Sequence, residues 1–156
     1  MKFAEKCDRI FADTTSRYHI TDDVDAKFDN PFEAGSIEHT LAEKNWIDAV
    51  QWHLEDIIRD PDIDPVAALA LKRRIDRSNQ DRTDMVEEID TFFRTKYAGV
   101  QPVADATINT DSPAWALARP TLLAPNIYHT QSEANRPHAP PPPPPHTPPT
   151  PNAPPH

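Results

Sequence analysis

The sequence has little cysteine, little glycine and no long hydrophobic run. Its single cysteine, Cys7, excludes an internal disulfide framework and a zinc site built from cysteines. Only two glycines are present, which argues against a hairpin-rich β-sheet protein and against a glycine-rich phosphate-binding loop. The longest fully apolar run, Val66–Leu71, is far shorter than the roughly 20 residues that a membrane-spanning helix needs.

The start of the chain lacks the features of a secretory signal. Charged residues are scattered through the opening segment MKFAEKCDRIF, where a signal peptide would have an uninterrupted apolar stretch. With no signal peptide and no apolar run long enough to span a membrane, we expect a cytoplasmic protein.

Positive charge is also scarce. The formal net charge is −9, and nearly all of it lies before Arg119, because Glu133 and Arg136 cancel in the tail. An acidic surface repels nucleic-acid phosphates and anionic lipids, so we expect no nucleic-acid partner and no membrane partner. One local basic run is interpreted as a solvated helix face paired with nearby aspartates. It consists of Lys72, Arg73, Arg74, Arg77 and Arg82.

Proline is abundant, and it is concentrated at the C-terminus. Residues 137–156 hold twelve of the 19 prolines, and Pro140–Pro145 is expected to form polyproline II. The chain therefore divides into a predicted helical domain over 1–130 and a predicted disordered, proline-rich tail over 131–156. Binding of the tail to a polyproline-reading domain is the weakest functional hypothesis, because Ala139, not proline, lies three residues after Arg136.

Before the tail, the hydrophobic pattern is helical. It predicts a first helix over about Lys2–His19, a second over about Ile37–Arg59 and a third from Pro65 to about Lys96. The second and third helices form an antiparallel hairpin that turns near Asp62. The inward positions predicted for the second helix are Leu41, Ile47, Val50, Leu54, Ile57 and Ile58.

Local signals support these helix ends. Ser36 is a predicted N-cap, and the Asp64-Pro65 pair combines a cap with proline at the first helical position. Gly99 is a predicted C-terminal stop for the third helix.

A fourth helix is predicted to start at Ser112-Pro113 and to be short or broken, because Pro120 and Pro125 interrupt it. The predicted fold is therefore all-α. It consists of an antiparallel long-helix hairpin with an N-terminal helix, a broken C-terminal helix and a disordered tail.

The facing surfaces of the hairpin contain an unusual number of polar residues. A turn centred on Asp62 places Asp48 near Asp76 and Asn45 near Asn79. A polar layer inside a helical bundle costs stability unless its groups pair, so it either specifies the helix register, lies in solvent or lines a ligand pocket. We favour the structural explanations. The candidate polar layer consists of Asn45, Asp48, Asp76, Asn79, Arg82 and Thr83.

A metal site is not predicted. His53 with Asp56, and Asp84 with Glu87, have the i, i+3 spacing that can place two ligands on one helix face. In the register set by Asp62 the two pairs are offset by ~20 Å, too far to share one ion. The alternating aspartates at 60, 62 and 64 lack the glycine and the final glutamate of a calcium loop, so we assign them to the turn and the cap.

Several long segments resemble one bacterial protein family. They are FAEKCDRIFADTTSRYHITDDVDA, KNWIDAVQWHLEDIIRDPDIDP, LKRRIDRSNQDRTDMVEEID and INTDSPAWALAR. The sequence is similar to the family known only as domain of unknown function 4254, and the resemblance extends over about Met1–His129. It implies an all-helical cytoplasmic protein without an assigned reaction, so no catalytic residue follows from it.

The resemblance ends abruptly. Members of that family continue beyond the segment that corresponds to Ile127–His129 into another long helical region, whereas this chain continues into the proline-rich tail. We hypothesise a truncated gene or a shifted reading frame, which would leave apolar helix surfaces without a partner. Comparison of the alternative frames of the coding DNA tests this hypothesis.

No nucleophile motif is present, so an enzyme is not the favoured hypothesis. The first functional hypothesis is a non-enzymatic interaction or scaffold module that binds a protein partner or a second copy of itself, without a cofactor. The alternative is a metal-dependent hydrolase of a nucleotide or phosphorylated substrate, with Mg²⁺ or Mn²⁺ held by helix-borne carboxylates.

Overall fold

The computed structural model describes residues 2–119 and Thr130. It contains three long helices, α1 (Phe3–Thr21), α2 (Ile37–Ile58) and α3 (Pro65–Lys96), and a further helical segment over 113–119. No β-strand occurs in these residues, which confirms the all-α prediction. The predicted break at Pro120 and Pro125, the tail over 131–156 and the boundary between the two parts lie outside the described residues.

The predicted N-caps of α2 and α3 are confirmed. The Ser36 hydroxyl accepts a hydrogen bond from the His39 amide at 3.1 Å. The Asp64 carboxylate accepts from the amides of Val66 at 3.0 Å and Ala67 at 2.9 Å. These side chains satisfy amides that have no partner within the first turn of a helix, and so they fix where α2 and α3 begin.

The predicted stop at Gly99 is wrong. The C-cap of α3 is Tyr97, whose amide donates to the carbonyl of Phe93 at 3.0 Å. Gly99 does not adopt the left-handed conformation that makes glycine useful at a helix end. Among the described glycines that conformation belongs to Gly35, with φ of 83°, immediately before the cap of α2.

Helix α2 lies between its two neighbours and packs against both α1 and α3. The main hydrophobic cluster joins the N-terminal part of α1, the first turns of α2 and the C-terminal half of α3. Its buried members are Cys7, Ile10, Phe11, Leu41, Ala42, Val86, Ile89 and Ala114. A second cluster joins α1 to α2 through Tyr18, Trp46 and Ala49, with the Phe28 ring stacked on Trp46 at 4.7 Å.

The predicted helix pairings of the hairpin are wrong by six positions on α3. Asp48 contacts Arg82, not Asp76, and Gln51 contacts Ser78 and Asn79. These pairs place the centre of the hairpin near residue 65 instead of Asp62, which shifts the partner of each α2 residue by ~9 Å along α3. The cause is the connection 59–64, which carries the chain past the end of α2 before α3 begins.

The corrected register also shortens the predicted offset between His53 and Asp84 to about 10 Å. His53 nevertheless does not face α3: its Nδ1 lies 2.7 Å from the hydroxyl of Tyr18 on α1. No cluster of three potential metal ligands of the His, Cys, Asp or Glu type occurs among the described residues.

None of the helices in the described part of the chain is long and apolar enough to cross a membrane.

Two buried groups, the Cys7 thiol and the Tyr18 phenol, should make the protein less stable at alkaline pH. Burial, with a smaller contribution from Asp8, raises the pKa of the Cys7 thiol to about 11. Burial, followed by Asp22, raises the pKa of Tyr18 to about 12. Because the unfolded chain loses these protons first, the free energy of unfolding should fall between pH 9 and 12. Two pKa units correspond to about 3 kcal/mol for each group.

Urea unfolding measured at intervals through this range tests the prediction. Tyr18→Phe removes the phenolic proton, so the free energy of unfolding should fall less steeply with pH above pH 10 than in the wild type. The part of the fall that belongs to Cys7, between pH 9 and 11, should persist. An unchanged slope above pH 10 in Tyr18→Phe would contradict the assignment to Tyr18.

Candidate functional site

The polar centre of the molecule lies on the seam between α2 and α3, at the carboxylate of Asp48. One of its oxygens accepts from Lys44 Nζ at 2.7 Å, and the other accepts from Arg82 Nε at 2.5 Å. Lys44 lies one helical turn before Asp48, so the i, i+4 spacing brings the two side chains together on α2. Arg82 approaches from α3 and closes a three-residue cluster, Lys44–Asp48–Arg82.

Two members of this cluster are almost completely buried. The side chains of Lys44 and Asp48 are 3% and 1% exposed. Burial lowers the pKa of Lys44, and the attraction of Asp48 works in the opposite direction. An ammonium group removed from water is costly unless a counter-charge is close, and Asp48 provides that charge.

Neutral side chains extend the cluster along the seam. Gln51 Nε2 donates to Asn79 Oδ1 at 2.7 Å, and the Ser78 hydroxyl donates to Gln51 Oε1 at 2.9 Å. Arg82 Nη1 donates to the same Asn79 oxygen at 3.1 Å. These bonds join the charged cluster to a continuous α2–α3 network, which holds the guanidinium of Arg82 in a fixed position.

Asn45, one of the predicted polar residues, lies on a different surface of α2. Its amide nitrogen donates to the carbonyl of Phe11 at 3.1 Å and to the hydroxyl of Thr15 at 3.0 Å. Asn45 is therefore a buried link between α1 and α2 and does not meet Asn79. Its Oδ1 has no hydrogen-bond donor among the described residues.

Asp76 also lies apart from the cluster. It is exposed and forms an ion pair with Lys72, one turn earlier on α3. Thr83 lies beside the cluster, and its hydroxyl donates to the backbone carbonyl of Asn79 at 2.9 Å. Of the six predicted residues, the structure brings three into one hydrogen-bonded network, Asp48, Asn79 and Arg82.

The inward face of α2 differs from the predicted one. Leu41 and Leu54 are buried as expected, but Ile57 at the end of the helix is exposed. The buried face of α2 also contains polar residues that the apolar pattern does not indicate: Lys44, Asn45, Asp48 and Gln51. Sequence reasoning missed Lys44 and Gln51, and the only local signal for Lys44 is its i, i+4 relation to Asp48.

A cavity of about 170 Å³ adjoins the cluster, and we call it the seam cavity. Its lining residues are Lys44, Asn79, Arg82, Thr83, Val86, Trp115 and Ala118. Among the described residues, this set includes two cations and no carboxylate. The helical segment 113–119 brings Trp115 to the cavity, and it is held in place because the amide of Ala114 donates to Asp90 Oδ1 at 2.9 Å.

This geometry does not favour a divalent metal at the predicted polar layer. Both oxygens of Asp48 already accept hydrogen bonds from cations, and the nearby charges of Lys44 and Arg82 repel Mg²⁺ or Mn²⁺. Asp76, the second carboxylate of the predicted polar layer, lies elsewhere on α3. The described residues therefore give the metal-dependent hydrolase no support.

Comparison with known proteins identifies one family. A family model described as "Protein of unknown function (DUF4254)" matches residues 38–142, more than half of the chain. The match includes almost all of α2 and the whole of α3, and it starts later and ends later than the resemblance traced over Met1–His129. No curated protein and no solved structure matches this chain.

Proposed function

The chain belongs to the DUF4254 family of proteins of unknown function, and we propose that it is a non-catalytic helical interaction module that binds a second copy of itself. One observation carries this proposal. The longest apolar run of the sequence, Val66–Leu71, lies at the start of α3 and is largely in solvent. Val66 is 76% exposed and Leu69 is 53% exposed.

The register of the hairpin explains why the described helices leave most of this run exposed. In that register, residue 58 of α2 is level with about residue 72 of α3, so the first two turns of α3 extend beyond the end of α2. Apolar side chains grouped on one helix surface are typical of protein interaction sites. We call Val66, Ala67, Leu69 and Ala70 the α3 patch; all four are exposed.

The charges that flank the α3 patch support a second copy as the partner. The α3 patch is preceded by the acidic turn at 60–64 and followed by the basic residues Lys72 and Arg73. In an antiparallel pair with its two-fold axis between Ala67 and Ala68, Val66 of one copy faces Leu69 of the other. The same axis places Asp62 of one copy level with Arg73 of the other. The two-fold symmetry repeats this pair, so the dimer contains two such contacts between opposite charges.

The proposed contact is small. A few helical turns from each copy bury less area than a standard interface, so we expect a dissociation constant on the order of micromolar. The alanines at 67, 68 and 70 allow the two helices to approach closely. The charged flanks fix the antiparallel register.

Sedimentation of the full chain over a roughly hundredfold concentration range tests the proposal. The wild type should shift from monomer to dimer, and Leu69→Asp should stay monomeric because it buries an unpaired charge in the contact. Ile108→Asp is the matched control, since Ile108 is also exposed but lies far along the chain. It should dimerise like the wild type.

A charge exchange tests the register. Arg73→Glu should weaken the dimer at least several-fold, because the introduced carboxylate would face Asp62 of the other copy. The double variant Asp62→Arg, Arg73→Glu restores opposite charges at both symmetric contacts and should recover dimerisation. A wild-type chain that remains monomeric throughout, or a Leu69→Asp variant that dimerises normally, would overturn the proposal.

A further inference from the structure

The seam cavity has walls of two kinds. Its polar wall consists of Lys44, Asn79, Arg82 and Thr83, and its apolar wall consists of Val86, Trp115 and Ala118. From this arrangement we propose that the seam cavity binds a small organic monoanion, a carboxylate on a short apolar or aromatic body. This site is separate from the α3 patch and does not depend on self-association.

Charge is the first argument. The Lys44–Asp48–Arg82 cluster contains two positive charges and one negative charge, so it carries a net charge of +1. Asp48 contacts both cations but does not line the cavity, whereas both cations do. Two cations therefore lie at the polar wall of the cavity, within a chain whose formal net charge is −9. An anion in the cavity would meet Lys44 and Arg82 without facing the carboxylate of Asp48.

Preorganisation is the second argument. Asp48 accepts from Nε of Arg82, and Asn79 accepts from Nη1. These bonds hold the planar guanidinium on the seam while Arg82 still lines the cavity. An arginine fixed before binding loses little conformational entropy when it meets a carboxylate.

Size and shape limit the ligand. The volume of about 170 Å³ corresponds to five or six water molecules at ~30 Å³ each, well below the cavity of a drug-sized molecule. Trp115 is 54% exposed and lines the same cavity, so an aromatic face is available to the apolar part of the ligand. A carboxylate on one short chain or one small ring fits these limits.

Benzoate, benzamide and inorganic phosphate are suitable probes, and calorimetric titration of the full chain measures their binding. Benzoate should bind, whereas benzamide, which has nearly the same shape without the charge, should bind at least tenfold more weakly. Phosphate should also bind more weakly, because it has no apolar body for Trp115. All titrations are made at constant ionic strength.

Variants assign the binding to the seam cavity. Arg82→Gln should reduce benzoate affinity at least tenfold, and Trp115→Ala should reduce it several-fold. Arg73→Gln is the matched control, because it removes an exposed arginine from the same helix, and it should bind benzoate like the wild type. Trp115→Ala also serves where Arg82→Gln fails to fold, since the hydrogen bonds of Asp48 to Lys44 and Arg82 do not involve Trp115.

Equal binding of benzoate and benzamide, tighter binding of phosphate than benzoate, or unchanged benzoate affinity in Trp115→Ala would each overturn the proposal. The monomeric Leu69→Asp variant should bind benzoate normally. The titration therefore separates failure of this site from failure of the proposed self-association.

Discussion

Asp48→Asn should lower the free energy of unfolding by about 3–5 kcal/mol. The change preserves the shape of the side chain but removes the negative charge that accepts hydrogen bonds from Lys44 and Arg82. Lys44 is 3% exposed at its side chain, so its ammonium group would remain buried without the carboxylate of Asp48. Chemical denaturation at neutral pH measures the loss.

The matched control is Lys44→Met, which removes the buried charge and keeps most of the volume. Asp48 still accepts from Arg82 in this variant, so the free energy of unfolding should fall by less than about 1.5 kcal/mol. A rise is also consistent, because the substitution removes a buried charge. Asp48→Asn should also recover part of its stability as the pH rises, because Lys44 can then lose its proton. A loss in Asp48→Asn no larger than in Lys44→Met would show that Asp48 does not stabilise a buried ammonium group.

Helix positions follow from the sequence because the signals that set them are local. Ser36 and Asp64 form cap bonds with amides two or three residues away, and both were predicted from residue type and position. α3 has the predicted bounds, and the predicted second helix ends within one residue of α2. The prediction at Gly99 is wrong because residues near a helix end can supply the closing turn without glycine, as Tyr97 does.

The helix register does not follow from local signals. Helical periodicity shows which residues share a face, but the path of the connection 59–64 decides how far α3 slides along α2. A shift of three residues in the centre of the hairpin moves every partner by six. Asp48 therefore meets Arg82 instead of Asp76.

Burial of charged residues is equally hidden from the sequence. Lys44–Asp48 and Lys72–Asp76 have the same residue types at the same i, i+4 spacing. The first pair is buried, whereas the side chains of the second are each 57% exposed. The difference comes from what packs on each helix face. The first pair is covered at the α2–α3 seam, and the second lies on a side of α3 that no other described helix covers.

The apolar residues of α3 show the same contrast between buried and exposed positions. Ile89→Ala should lower the free energy of unfolding by about 2–5 kcal/mol, because Ile89 is buried in the main cluster with Val86, Leu41 and Phe11. The buried residues of α3 are few, namely Ile75, Val86 and Ile89. The attachment of this long helix to α2 therefore depends strongly on each of them.

Leu69→Ala is the control on the same helix, studied at concentrations where the chain is monomeric. Because Leu69 is 53% exposed, its truncation should change stability by less than about 0.5 kcal/mol. The two substitutions remove comparable side chains from one helix, so unequal losses measure the packing of its two ends rather than helix propensity. Equal losses would mean that the start of α3 is covered within the monomer, which would also remove the basis for binding a second copy there.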